Sequence, residues 1–151
     1  MTIVALEGFQ LQNEFILKEL FIENSNREFR QFIFKAPLHQ HLSEVDCKTI
    51  RFTTRHLSRL SYTTGDIPYT ELEGILQTLK DSCIYTYGYT ARNFLGTQLP
   101  TTVVIDIQEL GYNMPPDLVK RPCFINHRAR YCAVSKTYAI RIFLDNNNIE
   151  Y

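Results

Sequence analysis

Three residues near the C-terminal end have types and spacing that suggest metal chemistry. Cys123 precedes His127 by four positions, and Cys132 follows it by five. A thiolate is a soft ligand that suits zinc rather than magnesium. Each residue also has an ordinary reading: Cys132 as a small core residue, Cys123 as a small residue after Pro122, His127 as a solvated side chain. The other two cysteines lack such spacing. Cys83 reads as core, and Cys47 has no assigned place. His39 and His41, two apart, read as a surface pair. A fourth residue is harder to pass over. Glu7 stands in an otherwise apolar first segment, where a buried carboxylate costs several kcal/mol unless a charged partner, a metal or an edge position satisfies it.

Basic residues form a second constellation. From Lys48 to Tyr62 the only charged residues are Lys48, Arg51, Arg55 and Arg59, with His56 among them. Arg51, Arg55 and Arg59 are spaced by four, so a helix there would carry them on one face. Between Lys120 and Arg141 stand Lys120, Arg121, Arg128, Arg130, Lys136 and Arg141, with no acid. Phe52, Tyr62, Tyr131 and Tyr138 lie close by in sequence. Cations interleaved with aromatic rings suit single-stranded nucleic acid, through phosphate pairing and base stacking. A solvated basic helix face is the competing reading. Over the whole chain 16 Lys and Arg balance 16 Asp and Glu. Nucleic-acid binding must therefore come from local patches, with Arg51, Arg55, Arg59, Arg128 and Arg130 as the candidate contacts.

The elements that must position these residues can be read from the pattern. Ile3–Phe9, Phe15–Ile22 and Phe29–Phe34 are apolar, β-branched and aromatic, separated by Gln12-Asn13 and Glu23–Asn26, which predicts an antiparallel meander. Tyr69–Ser82 has helical spacing at Leu72, Ile75, Leu76 and Leu79. Cys83–Tyr87 predicts a short strand, Thr90–Leu95 a short helix, and Thr102–Ile107 a buried strand. Asn126–Leu144 predicts a final helix, with Cys132, Ala133, Ala139, Ile140 and Phe143 facing inward. The order is βββαβαβα. Such an order gives an α/β domain over residues 1–145 with a mixed sheet, an antiparallel meander followed by βα units and flanked by helices. Residues 146–151 form a tail.

That order resembles the ribonuclease H-like architecture of DEDDh exonucleases. Those enzymes open their first strand with Asp-x-Glu and enter their last helix with His-x4-Asp; the carboxylates hold two Mg²⁺ ions and the histidine acts as general base. Here the first motif is Ala5-Leu6-Glu7 and the last is His127 to Cys132. Both aspartates are replaced, and the central segment Gly88–Leu95 contains none. Two ions about 4 Å apart need several hard oxygen ligands, so two-metal hydrolysis is not expected. The chain resembles the Maelstrom domain, a degenerate relative of these exonucleases with a Glu-Cys-His-Cys zinc set. The resemblance implies a structural Zn²⁺ on Glu7, Cys123, His127 and Cys132, tying the first strand to the last helix. It also implies single-stranded RNA as partner and a role in small-RNA silencing of transposons.

Two alternatives stand beside that reading: a weak metal-independent ribonuclease, and a non-enzymatic protein-interaction module of viral or mobile-element origin. No nucleotide cofactor is indicated. No apolar run reaches the roughly 18–20 residues needed to span a bilayer. The first residues lack the basic stretch of a secretory signal, and free cysteines without one suit an intracellular protein.

Overall fold

The computed structural model describes residues 1–37, 41–115 and 132–149. Three long strands come first: β1 (Thr2–Gln10), β2 (Phe15–Asn24) and β3 (Phe29–Ile33). Helix α1 (Glu44–Thr53) runs directly into a wider π turn at Thr54–Ser58. A 3₁₀ turn (Tyr69–Glu71) then leads into α2 (Leu72–Gln77). Strand β4 (Ile84–Thr86), helix α3 (Tyr89–Gln98), strand β5 (Val104–Asp106) and helix α4 (Ala133–Asn146) complete the described elements.

The sheet order is β3-β2-β1-β4-β5. β1, β2 and β3 pair antiparallel, while β4 runs parallel to β1 and β5 parallel to β4. The meander followed by βα units is therefore the architecture expected from the sequence. Alternation along the strands sends side chains to two faces. Val4, Leu6, Leu20, Ile22 and Ile84 pack against Leu72 and Leu76 of α2 and Leu95 of α3. Ile3 and Tyr85 pack with Ile107 against Ile140 and Leu144 of α4, and Ala5 and Phe21 meet Ala133.

Several boundaries differ from expectation. The run Thr102–Ile107 is not a buried strand: β5 is the three-residue edge of the sheet, and Val103 is 60% exposed. A β-branched run marks strand propensity, and burial follows from how many neighbours the strand has. The helix expected over Tyr69–Ser82 is shorter, although Leu72, Leu76 and Leu79 are buried as expected. Helix α4 begins at Ala133, with Cys132 in extended conformation as its N-cap, so Cys132 precedes the helix. Ala133 and Ile140 face inward as expected, joined by Leu144, Thr137 and Arg141. Asn147–Ile149 continue onto the fold, where Ile149 packs beside Leu144. Among the described residues no helix is long and apolar enough to cross a membrane.

One irregularity shapes the whole left side of the sheet. Glu7 pairs with Glu19 but Gly8 pairs with Leu17, so Lys18 is the extra residue of a β-bulge on β2. The bulge turns Lys18 inward, where it is 2% exposed. Its Nζ donates to the carbonyls of Phe34 (2.9 Å) and Thr64, and its own carbonyl accepts from Phe34 N (2.9 Å). The freed amide of Leu17 donates to the hydroxyl of Tyr69 (3.1 Å). One buried lysine thus anchors the connection between α1 and α2 to the sheet.

Burial pulls the Lys18 ammonium down from 10.5 to about 8, against the opposing field of Asp66. Below pH 8 the group is charged in both folded and unfolded chains. Between 8 and 10.5 the folded chain loses the proton first, so stability rises with pH across that window. The urea midpoint is expected to climb from pH 8 to pH 9.5, equivalent to about 2 kcal/mol, and to stay flat over the same range in Lys18→Met. Tyr62, which burial and nearby Glu14 push from 10 up to about 12, works in the opposite sense and from about pH 10 upward, beyond the pH 8–9.5 range of the measurement.

Candidate nucleic-acid interface

The end of the sheet where β1, β4 and β5 finish carries the residues singled out in the sequence. Glu7 and Ala5 lie on the face of β1 that meets α4, and so do Glu19, Phe21 and Glu23 on β2. Glu7 and Glu19 are direct cross-strand partners, and like charges so placed repel. Helix α4 answers this acidic row group by group. Lys136 forms an ion pair with Glu7 and reaches the Leu6 carbonyl at 3.4 Å. The first helical amide, Ala133 N, donates to Glu19 Oε1 at 2.6 Å, a carboxylate placed at a helix N-terminus. Gln31 donates to the other oxygen of Glu19 (3.2 Å). One end of the row is closed by Arg141, paired with Glu23.

The apolar setting of Glu7 thus has its charged partner. Of the four residues expected to hold zinc, Cys132 is buried at the α4 N-cap and belongs to no disulfide, and Cys123 and His127 lie outside the described residues. Among the described residues no group of three or more His, Cys, Asp and Glu could hold a metal ion. As it stands Glu7 does not fit a hard divalent site, because an ammonium already occupies its carboxylate, both oxygens of its cross-strand partner Glu19 accept hydrogen bonds, and Ala5 and Cys132 supply no carboxylate. Asp106 does not replace the missing acids either. Its buried Oδ1 accepts from Gly88 N (2.8 Å) and Gln108 N (2.9 Å), fixing the turn into α3. Gly88 takes φ +96° in that turn, a conformation that favours glycine.

Beside the Glu7–Lys136 pair lies a cleft of about 350 Å³, bounded by Gly8, Gly88 and the first turn of α3. It runs into a wider one of about 740 Å³ between the β1–β2 hairpin and α3; Gln10, Phe15, Tyr89 and Thr90 belong to both. Tyr89 is 70% exposed, and Phe15 stands edge-to-face with Phe94 (5.3 Å). Gly8 is required here by space: a Cβ would meet the Ile16 carbonyl oxygen at 2.3 Å. The sequence did not single out this groove, since its lining residues come from separate segments.

The basic constellation is partly assembled. Arg51, Arg55 and Arg59 are all exposed. They do not form a straight helical stripe, because α1 widens into the π turn and Arg59 ends it in left-handed conformation. Phe52 is 57% exposed, with its ring 4.9 Å from that of His56. Tyr62 is not available for stacking: it is buried edge-to-face against Phe9 at 5.1 Å. Its position opposite Phe9 is filled by an aromatic ring for packing, which its hydroxyl did not reveal. Lys136 and Arg141 belong to the α4 ion pairs. Arg128, Arg130 and Tyr131 lie outside the described residues.

No family model matches the chain, and no curated protein matches it. Among solved structures it is similar to E. coli Exonuclease I in complex with a dT13 oligonucleotide, with a TM-score of 0.59 and 14% identity. The match covers 99% of this chain and 41% of that one, so the chain spans about two fifths of that enzyme's length. At this identity the likeness shows the fold alone, a mixed α/β sheet with helices of the ribonuclease H-like kind.

Proposed function

We propose that the chain is a nucleic-acid-binding domain on an exonuclease fold that has given up two-metal hydrolysis, with single-stranded RNA as its ligand. The observation that carries this reading is the end of the sheet itself. The cleft is kept, but Ala5 and Cys132 stand at the two aspartate positions and Glu7 is closed by an ammonium. The exposed Phe52–His56 rings, framed by Arg51, Arg55 and Arg59, supply a surface with both stacking and charge. Support for a strand as ligand also comes from the neighbour, whose complex contains an oligonucleotide. Preference for RNA over DNA, and a role in small-RNA silencing of transposons, rest on the Maelstrom resemblance.

Zinc belongs to the same proposal at its thiol and imidazole end. Cys123, His127 and Cys132 are the ligand types that close structural zinc sites, and Glu7 joins them only by releasing Lys136.

Anisotropy of labelled single-stranded RNA and DNA at low salt, with and without added Mg²⁺, followed by gel analysis of strand length, tests the reading. Binding without shortening of the strand is expected. No binding at low salt, or Mg²⁺-dependent trimming, overturns it. Metal analysis of the purified protein addresses zinc: less than about half an equivalent, with folding intact in chelator, removes that part.

A further inference from the structure

The Glu7–Lys136 pair does more than neutralise a half-buried acid. Cross-strand Glu7 and Glu19 bring two carboxylates to one face at one end of the sheet, an arrangement that calls for a cation. Glu19 is fully buried and held by Ala133 N, so its position is fixed. The cation present is a side chain. Lys136 lies one turn into α4, its amide bonded to the Cys132 carbonyl (2.9 Å), and its side chain is 17% exposed. That residual exposure is on the wall of the cleft beside Gly88 and Tyr89.

We propose that Lys136 is a built-in cation: it takes the place a divalent ion would hold at Glu7 and presents its charge to a phosphate of a single strand lying in the cleft. The phosphate half rests on the function proposed above; the replacement half does not. Strand binding at this cleft is then independent of divalent ions. A tethered ammonium cannot be removed by chelation, and it offers charge without the ligand geometry that activates water on a metal.

Two measurements on the full chain separate the halves. Mn²⁺ binding is followed by the loss of its free-ion electron paramagnetic resonance signal. Wild type and Lys136→Arg are expected to take up no Mn²⁺ at millimolar concentration, whereas Lys136→Gln, which removes the ammonium from beside Glu7, takes up about one equivalent. Glu7→Gln added to Lys136→Gln abolishes the uptake. Equal uptake by wild type and Lys136→Gln overturns the replacement, whatever happens with nucleic acid.

Strand binding in EDTA reads the second half. Lys136→Arg retains affinity, while Lys136→Gln loses about fivefold and regains it when Mn²⁺ is added. Unchanged affinity in Lys136→Gln, or a loss that Mn²⁺ does not repair, overturns the phosphate role. Near-ultraviolet circular dichroism identifies a Lys136→Gln protein that has lost its packing; Lys136→Met, which keeps the aliphatic stem, then takes its place in both assays. A wild type that binds no strand while Lys136→Gln gains Mn²⁺ refutes the proposed function and leaves the replacement standing.

Discussion

Replacing Arg141 with leucine is expected to destabilise the protein by about 3 kcal/mol, the range seen when one partner of a buried ion pair is removed. The reason lies in what is left behind. The Arg141 and Glu23 side chains are only 10% and 14% exposed, between α4 and the sheet. Without the guanidinium, the Glu23 carboxylate stays in that low-dielectric layer with its main counter-charge gone. Removing both charges should behave differently. In Glu23→Leu/Arg141→Leu the two apolar side chains can pack against each other beside Ile3, the cross-strand partner of Glu23, and most of the loss should be recovered. The exposed Glu44–Lys48 pair on α1, at 84% and 68% exposure, gives the contrast, since such pairs contribute less than about 1 kcal/mol. A urea-denaturation double-mutant cycle checks this. An Arg141→Leu loss below about 1 kcal/mol would mean that α4 is held by its apolar face alone.

The same helix shows where sequence reading succeeds and where it stops. The sheet was legible because three aromatic and β-branched runs are punctuated by short turns, and only a meander joins strands that closely. The βα units followed from Leu72, Leu76 and Leu79 at helical spacing between strand-like runs. Glu7 was legible as a carboxylate in need of a partner, but the choice between metal and side chain was not. Lys136 is 129 positions away, and along the chain its charge belongs to a basic run. Sign can be read along the chain; pairing is decided by which helix face docks on which strand. Lys18 was hidden for a related reason. Alternation along β2 presumes an unbroken ladder, and the bulge between Glu7 and Gly8 shifts the register so that a lysine turns into the core. Tyr62 and the edge strand β5 misled in opposite directions: a hydroxyl suggested exposure where packing against Phe9 prevailed, and a β-branched run suggested burial where the sheet simply ends.

Neutralising the arginines of α1 and its π turn should produce the largest change in strand binding. Arg51, Arg55 and Arg59 are exposed, and from Cys47 to Tyr62 no acid competes for them. Each phosphate neutralised on a single strand contributes about 0.7 to the slope of log affinity against log salt. Arg51→Gln/Arg55→Gln/Arg59→Gln is therefore expected to flatten that slope by about 2 and to weaken binding roughly 50-fold at low salt. Phe52→Ala should act through the other term. Loss of a stacked base costs about 1–3 kcal/mol and carries no charge, so affinity should drop about tenfold or more while the slope stays put. The two signatures are separable by anisotropy titrations across a salt series on one oligonucleotide. If the triple variant keeps the wild-type slope, phosphates do not lie on this surface. The groove between α3 and the β1–β2 hairpin, lined by amides and aromatic rings and adjoining the cleft that Lys136 lines, is then the surface to test next.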